Sequence, residues 1–414
     1  MKPATDRRYL LSLLIVIYVC NNMDRHILSI LAVPITRDLG LSDTQFGLLT
    51  GLAFALFYTF FGIPAGWLAD RLGRIRVLFA AAIIWSAFSA SGALATRFWH
   101  LALARAGVGI GEAGGAAPSY SLISSAFPPE KRGNAIGLFH LGSPIATVVS
   151  SFGASWIAVN YGWQTAVVAV SMPGVIFAML LWLTVREPTV EAETQRNVSL
   201  LASIPAYFGD RILRNLAIAT GISSFTSFAL LGWFPKFLMQ ARGMSQMDVG
   251  LYYGPIYAVA FGLGLWGGGW LSDRLAPRGA QWFALAPCLA LISAVPFLVP
   301  MLLVTSWQAA LAFAFPAVTL LAMFLAPAVT CVQNRSAPES RAVNAALFLF
   351  INNLVGAGFG PTYVGWISDL AKEAHWTPLG LPPLGAGLLA CGPVLLLAVA
   401  LQARNARLLA KEAQ

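Results

Sequence analysis

Four ionisable residues stand inside apolar runs long enough to cross a bilayer: Asp24 and Arg25 in the first run, Arg105 and Glu112 in the fourth. A charge near the bilayer centre costs roughly 2.5–3.5 kcal/mol on insertion scales, so such residues need partners or a wet cavity. Their formal charges sum to zero, which suits pairing. Arg105 and Glu112 are seven residues apart and therefore share one side of a helix. At about 1.5 Å of rise per residue, Asp24 and Arg105 lie at comparable depths and could meet, with Glu112 deeper. A buried carboxylate facing an arginine can load and release a proton if the arginine moves away and returns. Asp24, Arg105 and Glu112 are candidate proton-coupling residues on that ground, and a static ion pair locking helices together is the alternative. Arg25 is a candidate for binding a carboxylate or a headgroup. His26 and His140 are weaker candidates, because a lone histidine in an apolar run more often bonds locally.

Small molecules need an opposite wall. The second half of the chain carries no charge at the middle of its runs, but it is rich in polar and aromatic residues there. Tyr253, Asn352, Asn353 and Phe228, together with Arg25 and Glu112, are the candidate binding residues. A cavity charged on one side and aromatic on the other suits an amphipathic molecule.

A third group looks mechanical. Gly66-Trp67-Leu68-Ala69-Asp70-Arg71-Leu72 returns as Gly269-Trp270-Leu271-Ser272-Asp273-Arg274-Leu275, an offset of 203. Gly40-Leu41-Ser42 and Gly47 return at the same offset as Gly243-Met244-Ser245 and Gly250, and Pro129-Glu130 with Arg132 returns as Pro338-Glu339 with Arg341. A plain basic loop would need the arginines but neither Asp70 nor Gly73. Gly66, Asp70, Arg71, Gly73, Arg74, Asp273 and Arg274 are therefore expected to form gating turns, with Asp70 able to face a helix N-terminus.

The elements that must position these residues follow from composition. Of 414 residues, 58% are hydrophobic and 10% are charged, too few charges to cover a water-facing surface. Lipid must be the solvent. Apolar runs broken by short polar turns give twelve spans: 9–33, 44–69, 76–95, 98–125, 133–158, 163–185, 214–240, 246–271, 281–304, 306–334, 342–368 and 379–403. The repeats divide them into a six-helix bundle at 1–185, a cytoplasmic linker at 186–213 and a second six-helix bundle at 214–414. Glycines and prolines inside the spans, at Gly107, Gly109, Gly111, Gly114, Gly115 and Pro118, at Gly142 and Pro144, and at Gly356, Gly358, Gly360 and Pro361, point to closely packed, moving helices that proline lets kink. The first run has a basic lead but no small-residue cleavage site, so it reads as an uncleaved helix.

The net charge of +9 is a topology signal. Most of the 26 lysines and arginines fall on one side of the spans, and only Arg37, Arg97, Lys236, Arg242 and Lys372 fall on the other. Basic loops stay cytoplasmic, so the chain is expected to cross the cell (inner) membrane many times with both termini in the cytoplasm. No basic cluster is dense enough for nucleic acid. The cysteines, Cys20, Cys288, Cys331 and Cys391, lack metal-ligand spacing and read as small buried hydrophobes. No intramembrane nucleophile with a base, no paired histidines and no phosphate-binding loop is present, so neither an enzyme nor a bound cofactor or metal is expected.

Gly66 to Arg74 resembles the signature between helices two and three of the major facilitator superfamily, and Arg105 with Gly107, Gly109 and Gly111 resembles its helix-four motif. Asn22-Met23-Asp24-Arg25, Arg105 to Ala113, and Ala117-Pro118 are similar to the Spinster transporters within it, in a bacterial type with short tails. The resemblance implies an all-α integral membrane protein with twelve transmembrane helices in two pseudo-symmetric bundles. It also implies proton-coupled secondary active transport of an amphipathic small molecule or a lysolipid- or sphingolipid-like substrate by alternating access. Its partners would be that substrate, protons and membrane lipids, with the protein a monomer. An organic-anion or carboxylate symporter, which also carries Asn-x-x-Asp-Arg on helix one, and a passive uniporter of the same fold remain the alternatives.

Overall fold

The structure is a computed structural model whose backbone is described for residues 6–187, 200–337 and 340–412, with the side chains at 63, 70, 129, 130, 200–203, 341 and 342 outside the description. The side chains of Asp70, Pro129 and Glu130, residues 188–199 of the linker expected at 186–213, and Pro338-Glu339 therefore lie outside the description. Among those described, the chain is helical and has no strand. Among the described residues, eleven stretches are long and apolar enough to cross a membrane, from Arg7–Ile30 to Pro383–Glu412. The expected span at 98–125 is not one of the eleven. It folds as the helices Phe98–Ala113 and Ala116–Ala126, and it is the stretch that carries Arg105 and Glu112.

Of the glycines that the sequence marks, Gly114, Gly142 and Gly360 fall at helix boundaries, whereas Gly107, Gly109 and Gly111 lie inside one continuous helix. Phe98–Ala113 ends at Gly114, and Pro129–His140 gives way to Gly142–Tyr161. Asn353–Phe359 is a π-helical turn leading into Gly360–Glu373, and Val249–Tyr253 is a second one. A π turn inserts one extra residue and turns the following side chains to a new face.

The duplication has a local physical meaning. Gly40 and Gly243 both take positive φ, 60° and 67°, a conformation that glycine adopts without steric cost. Each is followed two residues later by a serine that caps the next helix reciprocally: Ser42 with Gln45, and Ser245 with Asp248. What recurs at offset 203 is thus a complete chain reversal and helix start.

The chain forms two compact units. Unit 1 comprises Met1–Leu41, Leu52–Glu193 and Met244–Ala258, and unit 2 comprises Ser42–Gly51, Thr194–Gly243 and Val259–Gln414. Unit 1 is centred on Leu14, Ile17, Trp85, Val108, Leu122 and Phe139, and unit 2 on Leu216, Phe283, Val332, Phe348 and Leu409. Many large apolar side chains stay exposed, among them Phe60, Trp99, Ile176, Trp266 and Trp366. Such surface would be a liability in water and is at home in lipid.

Candidate functional site

The four intramembrane charges all fold into unit 1, on two helices. Arg7–Ile30 carries Asp24 and Arg25, and Phe98–Ala113 carries Arg105 and Glu112. Close packing makes the meeting possible. A Cβ at Gly109 would come within 2.7 Å of the Phe54 carbonyl oxygen, and one at Gly111 would collide with the Trp85 backbone. Only a bare backbone lets this helix lie so near both neighbours.

Arg25 Nε donates to Glu112 Oε2 at 2.5 Å, with Glu112 fully buried and the arginine side chain 30% exposed. The guanidinium also lies 4.4 Å from the ring centre of Tyr58 and 5.2 Å from that of Phe54. Arg105 sits over the same Phe54 ring at 4.9 Å, so one aromatic ring serves two cations. Asp24 is buried, and its Oδ1 accepts a hydrogen bond from Ser89 Oγ at 2.5 Å. Arg105 Nη1 donates to the Asp24 main-chain oxygen at 3.2 Å. The expected approach of Arg105 to Asp24 is thus made to its peptide group, while the carboxylate–arginine ion pair is the one between Arg25 and Glu112.

Two carboxylate oxygens, Asp24 Oδ2 and Glu112 Oε1, are buried without a hydrogen-bond partner. Leaving such acceptors dry and unpaired is costly, and binding a proton would remove the charge that makes it so. Ser89, Phe54 and Tyr58 belong to this cluster and were not singled out by sequence. Serines and aromatics are common in membrane helices, and only the charges beside them distinguish these three. His26 is linked to Thr147 at 3.4 Å, and His140 to Tyr120 at 3.1 Å.

The other candidate binding residues divide between the units. Tyr253 ends the π turn Val249–Tyr253 in unit 1, buried against Tyr257 with ring centres 5.5 Å apart. Asn352, Asn353 and Phe228 belong to unit 2. Asn352 is buried with its Oδ1 unpartnered, and its main-chain oxygen accepts a bond from Ser224 Oγ at 3.2 Å. Asn353 opens the π turn Asn353–Phe359. Phe228 lies against Gly356 inside that turn, where an added Cβ would come within 3.1 Å of the ring.

In the first of the two repeated turns, Arg71 stacks on Trp67 at 4.0 Å, and the duplicated turn repeats the arrangement with Arg274 over Trp270 at 5.4 Å. Gly66 lies near Ala117, and Gly73 takes a φ of 97° just before the Arg74–Ser91 helix. The carboxylate found at that helix start is Glu187, which accepts from the amides of Arg74 at 2.6 Å and Ile75 at 3.0 Å. Arg74 Nη1 reaches Ser121 O and Ser125 Oγ, each at 3.4 Å. Asp273 is exposed.

Comparisons with known proteins agree with this architecture. The family model of the Major Facilitator Superfamily matches residues 14–361. An MFS-type efflux pump of Mycolicibacterium smegmatis is 31% identical over 89% of this chain and 85% of that one. A hexuronate transporter of Bacillus subtilis is 31% identical over 64% of each chain. The crystal structure of a bacterial homolog to the human lysosomal transporter Spinster, in an inward-facing and unoccupied conformation, superimposes with a TM-score of 0.86 at 28% identity, covering 98% of both chains. With its paired helical halves and its charged cluster, the chain belongs to the Major Facilitator Superfamily and is a multi-pass membrane transporter, not an enzyme.

Proposed function

We propose that this transporter couples proton movement to the passage of an amphipathic small molecule, lysolipid- or sphingolipid-like, by alternating access. One observation carries the reading: a buried cluster of two carboxylates and two arginines in which Asp24 Oδ2 and Glu112 Oε1 are unpaired. Arg25 is the accessible cation and receives the polar end of the substrate. Protonation of Glu112 releases Arg25 to that ligand, and departure of the ligand returns the arginine to Glu112. Asp24 and Arg105 complete the exchange. Asn352, Asn353, Tyr253 and Phe228 supply polar and aromatic contacts, and the turns around Asp70 and Asp273 gate the passage. The protein acts as a monomer in the cell inner membrane with both termini cytoplasmic, and it needs no cofactor.

A carboxylate symporter is the second reading. The partly exposed Arg25 guanidinium favours it, as does the likeness to a hexuronate transporter. Thermal stabilisation of the purified protein separates the two. Lysophospholipids should raise Tm in the wild type and lose at least about tenfold in affinity in Arg25→Gln, the usual scale for removing a charged contact. Stabilisation by small carboxylates alone would transfer the proposal to the symporter.

A further inference from the structure

Residues 42–51 come from the first half of the sequence but pack inside unit 2, while the chain on either side, ending at Leu41 and resuming at Leu52, belongs to unit 1. The start of this segment is fastened by charge. Lys236 Nζ donates to Asp43 Oδ1 at 2.6 Å, and Ser368 Oγ donates to Asp43 Oδ2 at 2.6 Å. The amides of Asp43 and Thr44 donate to the Asp369 carboxylate at 3.2 and 2.7 Å. Lys236 is itself buried, its ammonium 5.2 Å from the Trp233 ring centre and 5.6 Å from that of Phe46. Thr362 Oγ1 then donates to the Gly47 carbonyl, one turn further along.

The duplicated segment is fastened differently. Residues 244–258 of the second half pack in unit 1, where Gln246 Nε2 donates to the Ile30 carbonyl at 3.1 Å and to Ser155 Oγ at 3.0 Å. Among the described residues, no salt bridge joins this segment to the rest of unit 1. Two copies of one helix start therefore have unequal fastenings, one charged and buried, the other made of an amide.

We propose that Asp43, Lys236, Ser368 and Asp369 form a charged latch that holds residues 42–51 in unit 2 and opens in each transport cycle. The inference rests on the alternating-access reading. The chain at Leu41 and Leu52 belongs to unit 1 while residues 42–51 pack in unit 2, so the latch holds the segment against the chain on either side of it. Lys236 and Asp43 are thus positioning residues for transport that touch no substrate. A buried pair of this kind strongly disfavours the loss of one partner, because the other is left charged and alone.

The test places a reporter under the segment. Thr362→Cys is reacted with a maleimide in detergent, without substrate or gradient. The four native cysteines are buried and report unfolding. Lys236→Met should speed labelling of the reporter by about tenfold while the native cysteines stay protected, and Asp369→Asn should speed it by a smaller factor. An unchanged rate in Lys236→Met overturns the latch. If that variant also exposes the native cysteines, the volume-conserving Asp369→Asn decides in its place by the same criterion. Because labelling requires no transport, faster labelling in a protein that ignores a pH gradient would leave the latch standing and remove only the proton-coupling reading.

Discussion

At Glu112 one carboxylate oxygen accepts from Arg25 and the other is buried without a partner, so its contacts depend on where the arginine points. Arg25 meets Glu112 through Nε while its flat face lies over Tyr58. Lysine cannot reproduce both contacts, because a compact ammonium has neither the face nor the fork. Arg25→Lys should therefore behave nearly like Arg25→Gln, with KM raised at least about tenfold in each. Equal KM values in Arg25→Lys and wild type would show that only the charge matters there. The charged members of the cluster were readable in the sequence because a charge in an apolar run is conspicuous. Which arginine serves which acid was not, since depth and helical phase leave several pairings open. Lys236 and Asp43 escaped notice for a related reason. Near the ends of apolar runs they look like ordinary loop charges, and only the fold shows them buried together.

Among the elements, the Arg74–Ser91 helix depends on a carboxylate from far along the chain. Glu187 occupies the helix start, where exposed amides favour an anion. Glu187→Ala should lower stability by about 1 kcal/mol and loosen the turn beside it, seen as faster proteolysis between Leu72 and Arg74. The Arg211–Arg242 helix has a comparable fastening at Asp210, which caps it and accepts from Arg335 at 2.8 Å, while Arg335 also reaches both oxygens of Glu412. Burial pushes the Asp210 carboxyl up, but Arg335 and the amides of Leu213 and Ile212 more than reverse this and hold it below its ordinary value. Stability from this group is thus present above the unfolded value of about 3.9 and is lost as pH falls through the lower folded one. The Tm difference between wild type and Asp210→Asn should be largest at neutral pH and shrink below about pH 4. A difference constant across that range would remove the charge-based account of the cap. Several helix boundaries were legible, since glycine and proline announce them, whereas the π form of the turns at Val249–Tyr253 and Asn353–Phe359 was not. Gly111→Ala should lower stability by about 1–3 kcal/mol, because the Trp85 backbone cannot yield.

For the whole molecule, duplication made the architecture legible: the same reversals and the same tryptophan–arginine stacks recur in both halves. The exchange of short segments between the units was not legible, because packing partners leave no trace in the spacing of a run. The units differ in chemistry, with Asp24, Arg25, Arg105 and Glu112 in unit 1 and the buried Lys236–Asp43 pair in unit 2. Proton coupling is the central claim, and substrate flux in liposomes with and without an imposed pH gradient tests it most directly. Asp24→Asn and Glu112→Gln should lose gradient-driven accumulation by at least about tenfold while retaining exchange of labelled for unlabelled substrate at equal pH. Wild-type accumulation that ignores the gradient, together with unimpaired flux in both variants, would contradict the account.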